Sequence, residues 1–205
     1  MWSLFGFLAE AQNVGEAKPL LDKLSEKTKS YETVEVAFSF LVTNKEQDIR
    51  EERKGKLKMK GEKYVLEMDS LFIVCNGKQV TSYSREMNEA QVIPVDELDE
   101  DALTPESMFT IYEEGFKSRI REEKIEDGRK ITVVDLYPLE PKEKDYTIVR
   151  LDIDEEKMRI TRAVVIGKNG TLYSYTIHQF KPNGPLSEAE FEFNESDFPG
   201  VTIIE

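Results

Sequence analysis

The sequence predicts a mainly β fold: one large antiparallel sheet that curls, accompanied by a few helices too small to cover its inner face. Three observations carry that expectation. The first is a long stretch of period two in residues 31–44, YETVEVAFSFLVTN, where Val34, Val36, Phe38, Phe40 and Val42 alternate with Thr33, Glu35, Ala37, Ser39, Leu41 and Thr43. The second is a series of further extended segments, about ten strands in all, joined mostly by short turn sequences and without βαβ spacing. The third is that only two segments have helical periodicity. A sheet of that size twists and curls rather than lying flat. Part of its apolar inner face therefore looks into a space that protein does not fully occupy.

In chain order, AKPLLDKLSEKTK (17–29) reads as a helix: Pro19 suits a first turn, and Leu20, Leu21 and Leu24 form one apolar stripe. After the opening strand, RKGKLKMKGEKYVLEM (53–68) gives two strands broken at Gly61. Lys54, Lys56, Lys58 and Lys60 alternate with Gly55, Leu57 and Met59 in the first, and Tyr64, Leu66 and Met68 share a face in the second. SLFIVCNGKQVTSYS (70–84) is a hairpin whose Asn76-Gly77 pair supplies the positive φ angles of a tight turn.

MNEAQVIPV (87–95) is another extended piece, and DELDEDALTPE (96–106) is an acidic linker without a base. TPESMFTIYEEGFK (104–117) is the second helix, with Thr104 as cap and Pro105 in its first position. Its apolar face is Met108, Phe109, Tyr112 and Phe116, with Ile111 beside them. The chain then returns to strands at 129–138, 146–154, 157–168 and 171–180, with turn chemistry at 154–157 and 168–170. Short strands at AEFEF (189–193) and in DFPGVTIIE (197–205) end it.

Composition narrows the function classes. The 205 residues carry 41 acids against 28 bases, a net charge of −13, which disfavours a phosphate-backbone partner and hence nucleic acid. No run approaches the roughly 18 apolar residues of a membrane-spanning helix. The single cysteine, Cys75, excludes an intrachain disulfide, and the single histidine, His178, leaves a histidine-built metal site or catalytic pair without its usual parts. Scattered carboxylates form no calcium-loop pattern. The expectation is a protein without a catalytic centre, metal or cofactor. At the N-terminus, a short apolar run before Ala9-Glu10-Ala11 reads either as a signal-peptide remnant (1–11) ahead of a single domain (12–205) or as an apolar first turn docked on that domain.

The order of pieces resembles the outer-membrane lipoprotein carrier family (LolA-like), in a divergent form with a Tyr after the Asn-Gly-Lys turn and an Asn-Glu pair soon after. Asn76-Gly77-Lys78 with Tyr83, Asn88-Glu89, and the ending Phe191, Phe193, Pro199, Gly200, Val201 carry the resemblance, which covers the chain from about residue 17. It implies a curled, half-open antiparallel β-barrel with a helical lid over its concave face. It further implies a monomeric periplasmic carrier of acylated lipoproteins, loaded by an inner-membrane export complex and unloaded to an outer-membrane acceptor. On this reading the lid contributes Leu20, Leu21, Leu24, Met108, Phe109 and Tyr112. The sheet contributes Val36, Phe38, Phe40, Leu57, Met59, Tyr64 and Leu66. The family often places an Arg-Pro latch after the strand equivalent to 56–60; here Lys60-Gly61-Glu62 stands there, so that role is not transferred. Two alternatives stay open: a cell-envelope interaction domain with a filled core, and a carrier of another lipid. The Lys stripe is either a solvated strand face or a docking patch.

Overall fold

The computed structural model describes residues 17–98 and 110–204. Within them lies one helix, α1 (Lys18–Lys29), and twelve strands: β1 (Thr33–Asn44), β2 (Ile49–Lys60), β3 (Lys63–Met68), β4 (Leu71–Cys75), β5 (Gln79–Ser84), β6 (Glu89–Pro94), β7 (Phe116–Glu126), β8 (Arg129–Pro138), β9 (Tyr146–Asp154), β10 (Arg159–Gly167), β11 (Leu172–Pro182) and β12 (Thr202–Ile204). All twelve join one sheet in the order β12-β6-β5-β4-β3-β2-β1-β11-β10-β9-β8-β7. Two antiparallel meanders, β1–β6 and β7–β11, meet where β1 pairs with β11. The outermost strands, β12 and β7, do not close on each other, so the result is a curled, half-open sheet with α1 on its inner face.

Several sequence expectations change in detail. Residues 118–126 carry no strand pattern, yet β7 runs through them and begins at Phe116, inside the segment with helical periodicity. Charges dominate it, as suits an edge strand, and a register shift between Ile120 and Glu122 breaks its alternation. β2 starts at Ile49, four residues before the expected start, because Arg50 to Arg53 lie opposite Thr43 to Phe40. The hairpin after Cys75 has three loop residues, and only Gly77 takes a positive φ, 85°. Asn76 instead accepts from the backbone N–H of Lys78 and Gln79. The last strand pairs parallel with β6 rather than antiparallel.

The AEFEF segment is not a strand but a 3₁₀ turn, Glu188–Phe191, capped reciprocally by Ser187 and Glu190. It belongs to a C-terminal strap that crosses the outer face of the first meander. Phe191 is fully buried there with Val65, Val74, Phe72 and Leu186. Phe193 stacks on Phe198 at 4.7 Å, and Phe198 lies 4.3 Å from the Tyr83 ring. The Tyr83 hydroxyl donates to Asn88 Oδ1 at 2.9 Å, and Asn88 Nδ2 reaches Pro199 O at 3.4 Å.

The Lys stripe faces this strap. Lys58 pairs with Glu190 at 2.5 Å, and Lys60 and Lys63 both pair with Glu188 at 2.6 Å. Part of the Lys stripe is thus occupied by the chain's own acids, while Lys54 and Lys56 stay exposed as a solvated strand face. Hydrogen bonds from Lys60 and then Lys63 hold the Glu188 carboxyl down at about 2, and Lys58 lowers Glu190. A carboxyl lowered on folding stabilises above its unfolded value, near 4.5, and loses that contribution as pH falls through the folded one. The contribution of these pairs to holding the strap should therefore fade between about pH 4.5 and 2. Pepsin cleavage at Phe191 and Phe193, normalised to a control peptide, should rise modestly across that window, whereas Glu188→Gln should start slightly higher and change less, because Phe191 still anchors the strap.

Candidate functional site

The inner face of the sheet carries two apolar clusters with a seam between them. In the first, the stripe of α1 faces β8, β9 and β10. Leu21 and Leu24 are buried with Tyr112, Val134, Leu136, Val149, Leu151, Ile153, Ile160 and Val165, and Leu20 packs at the margin. The helix forms here because Pro19 opens it, Lys27 and Lys29 sit favourably in its last turn, and its one apolar stripe finds a flat β surface. In the second, Val34, Val36, Leu57, Tyr64, Cys75 and Val80 are buried, with Phe38, Met59 and Leu66 packed against them. The even-numbered stripe of β1 and the residues chosen on β2 and β3 thus share one face.

Phe38 sits over Gly55, directly across the β1–β2 ladder. A Cβ at Gly55 would lie 2.4 Å from the Phe38 ring, so only glycine lets that ring lie flat on the strand. Phe40 joins neither cluster. It stacks on Tyr175 at 4.7 Å and on Tyr173 at 6.4 Å, towards the far end of β11. Met108 and Phe109 lie outside the described residues.

At the seam a cavity of about 260 Å³ opens between the last turn of α1 and the sheet. Its wall is mostly apolar: Tyr31, Val34, Met59, Ile160 and Phe180, with Arg159 among them. Of the residues chosen from sequence, only Met59 lines it. Tyr31, Ile160 and Phe180 were missed because nothing in a single strand's periodicity reveals which positions on distant strands converge; Val34 was visible in the stripe. Tyr31 meets Phe180 edge-on at 5.5 Å, and burial raises its phenol, leaving it a neutral donor.

The family's Arg latch is absent, but α1 is tied down by another device. Glu113 accepts from Ser25 Oγ at 2.5 Å and pairs with Lys29 at 2.8 Å. Those two contacts, Lys29 first, hold its carboxyl low. Tyr112, next to it, donates to Thr28 Oγ1 at 3.4 Å, and burial pushes its phenol up to about 12. Tyr112 and Glu113 stand in a turn rather than in a continuing helix.

His178 Nε2 lies 3.0 Å from Ser39 Oγ on the outer face, and Cys75 is buried. Among the described residues no group of three or more His, Cys, Asp or Glu is placed to hold a metal ion, and no helix is long and apolar enough to cross a membrane.

The sequence profile of the outer membrane lipoprotein carrier protein LolA matches residues 29–194. The chain belongs to the LolA family. Its match runs from the end of α1 to the middle of the strap, so both meanders, Tyr83, Asn88, Phe191 and Phe193 fall within it, while Pro199, Gly200 and Val201 lie beyond it. Among solved structures, an uncharacterized conserved protein from Thermus thermophilus superposes with a TM-score of 0.62 at 14% identity, covering 92% of this chain and 98% of that one. The Mycobacterium tuberculosis lipoprotein LppX superposes with a TM-score of 0.50 at 14% identity, covering 83% of this chain and 98% of that one. A LolA superfamily protein from Nitrosomonas europaea follows at 0.45, 10% identity, 87% and 98%. No curated protein matches in sequence. At these identities the structural likeness speaks for the LolA-like fold alone.

Proposed function

We propose that this LolA-family chain is a periplasmic carrier that shields the acyl chains of lipoproteins between α1 and the concave sheet. It would take cargo from an inner-membrane export complex and give it to an outer-membrane acceptor, without catalysis. The observation that supports the reading best is the apolar seam cavity, placed between two inner-face clusters that only one described helix covers. At about 260 Å³ it falls just short of the roughly 300–1,000 Å³ of ordinary ligand pockets. It is the closed-state remnant of a larger hollow. Displacing α1 would add the surface of Val134, Leu136, Val149, Leu151 and Ile153 to it.

The energetics suit a carrier. Each buried CH₂ contributes about 0.8 kcal/mol, so loose lipid chains in water are strongly driven into such a hollow. The self-packing of Leu21 and Leu24 competes with the cargo, which keeps binding weaker than in an open groove and permits release.

The test is displacement of a polarity-sensitive dye by a triacylated lipopeptide. The folded wild type should bind the dye and lose it to the lipopeptide. Met59→Glu places a charge on a half-buried cavity wall and should weaken both by at least tenfold while leaving the fold intact. A folded protein from which the lipopeptide displaces nothing would overturn the reading.

A further inference from the structure

The seam cavity contains one feature that a purely acyl cargo does not use. Arg159, the first residue of β10, lines it among aromatic and aliphatic side chains. Its Nε is buried and has no hydrogen-bond partner. Its guanidinium lies over the Phe180 ring, 5.6 Å from the centroid. Among the described residues it makes no ion pair. Asp154, directly across the β9–β10 ladder, is engaged instead by Arg129 at 3.1 Å and by the Lys157 N–H.

An Arg side chain stays charged in any protein setting. Arg159 is half-buried, and with its Nε cut off from water that part of the charge is unfavourably placed unless an anion or an aromatic face answers it. Phe180 answers one face of the guanidinium and leaves its planar fork of donors free. The neutral phenol of Tyr31 lines the same cavity as a second donor. Glu32 and Glu62 also line it, from exposed positions, and Lys29, which lines it too, is paired with Glu113.

We propose that the cavity takes an acyl lipid whose head carries an oxyanion, phosphate or carboxylate, with the chain in the seam and the oxyanion on the Arg159 fork. This rests on the acyl-binding reading above and adds a head-group preference that a lipoprotein's neutral glyceryl anchor does not require. A lipoprotein cargo would then share the hollow with, or alternate with, an anionic lipid.

The experiment compares two ligands with the same oleoyl chain, lysophosphatidate and monoolein, by dye displacement from the full chain. Inorganic phosphate is run in parallel. Wild type should bind lysophosphatidate at least tenfold more tightly than monoolein, since hydrogen bonds between charged groups discriminate at that level or above. Arg159→Met should erase the difference while keeping monoolein affinity, which also certifies the fold. Arg162→Met, an exposed arginine on the same strand, should leave the preference intact. Equal binding of both lipids by wild type would overturn the head-group inference and leave the acyl reading standing. Binding of neither would overturn both. Displacement by phosphate alone, at concentrations matching the lipid, would show a free-anion site and overturn the lipid assignment.

Discussion

Phe191→Ala is expected to lower the unfolding free energy by about 3–5 kcal/mol, the range for deleting a fully buried aromatic ring. For a chain of this size that corresponds to a fall in Tm of roughly 6–20 °C. Phe191 is fully buried, and its partners Val65 and Val74 are the outward-facing residues of β3 and β4. Of the strap's apolar side chains, Phe191 is the fully buried one, and it fastens residues 186–198 beneath the Lys58, Lys60 and Lys63 pairs, with Leu186, Phe193 and Phe198 half-buried beside it. Those pairs are partly to fully exposed and are weak fasteners alone. Without Phe191 the stacked Phe193 and Phe198 lose their approach to Tyr83, and the outer face of the first meander opens to water. Thermal denaturation measures the loss. Because the strap lies outside and the seam cavity inside, dye binding per folded molecule should not change. A loss below about 1 kcal/mol would mean that the strap is an appendage rather than the outer half of the core.

The same strap shows what the sequence made legible and what it hid. Asn88, Tyr83, Phe193, Pro199 and Gly200 were conspicuous as a recurring set, yet nothing in their spacing said that they converge. In the fold they form one closure: ring on ring, Tyr83 to Asn88, Asn88 to Pro199. The strand expectation for AEFEF followed from its alternating Phe and Glu, which is also what a 3₁₀ turn needs when Phe191 points into the sheet and Glu188 and Glu190 reach back to lysines. Alternation on β1 to β3 was reliable because each of those strands has a wet and a dry face. It failed on β7, an edge strand of charges, although Asp127-Gly128 ahead of β8, with φ of 50° and 75°, was a hairpin signal in plain view. On the inner face, Val36, Leu57, Tyr64 and Leu66 are neighbours on one side of the sheet, as the alternation of their strands implies. Which of that face's residues meet at the seam depends on curl, a property of twelve strands together, and Arg159 could not be picked out from one strand.

Leu24→Ala tests whether α1 is a lid or simply core, and the two outcomes differ in where stability is lost. Leu24 is 1% exposed in the cluster that joins α1 to β8–β10, and its truncation should cost about 2–5 kcal/mol. If α1 opens as a unit, the loss falls on that opening. Amide exchange in residues 18–29 should then accelerate by roughly 30-fold to several thousand-fold, at 1.4 kcal/mol per factor of ten, with β8, β9 and β10 far less affected. The ties from Glu113 to Lys29 and Ser25 are partly exposed and would slow this opening without preventing it. The same change should tighten acyl binding, because a ligand no longer displaces a well-packed leucine and the open state is already more populated. Exchange mass spectrometry and the dye assay on one variant read both effects. Equal loss of protection in α1 and in β8–β10, with weaker acyl binding, would mean that the helix completes a solid core and that nothing enters beneath it.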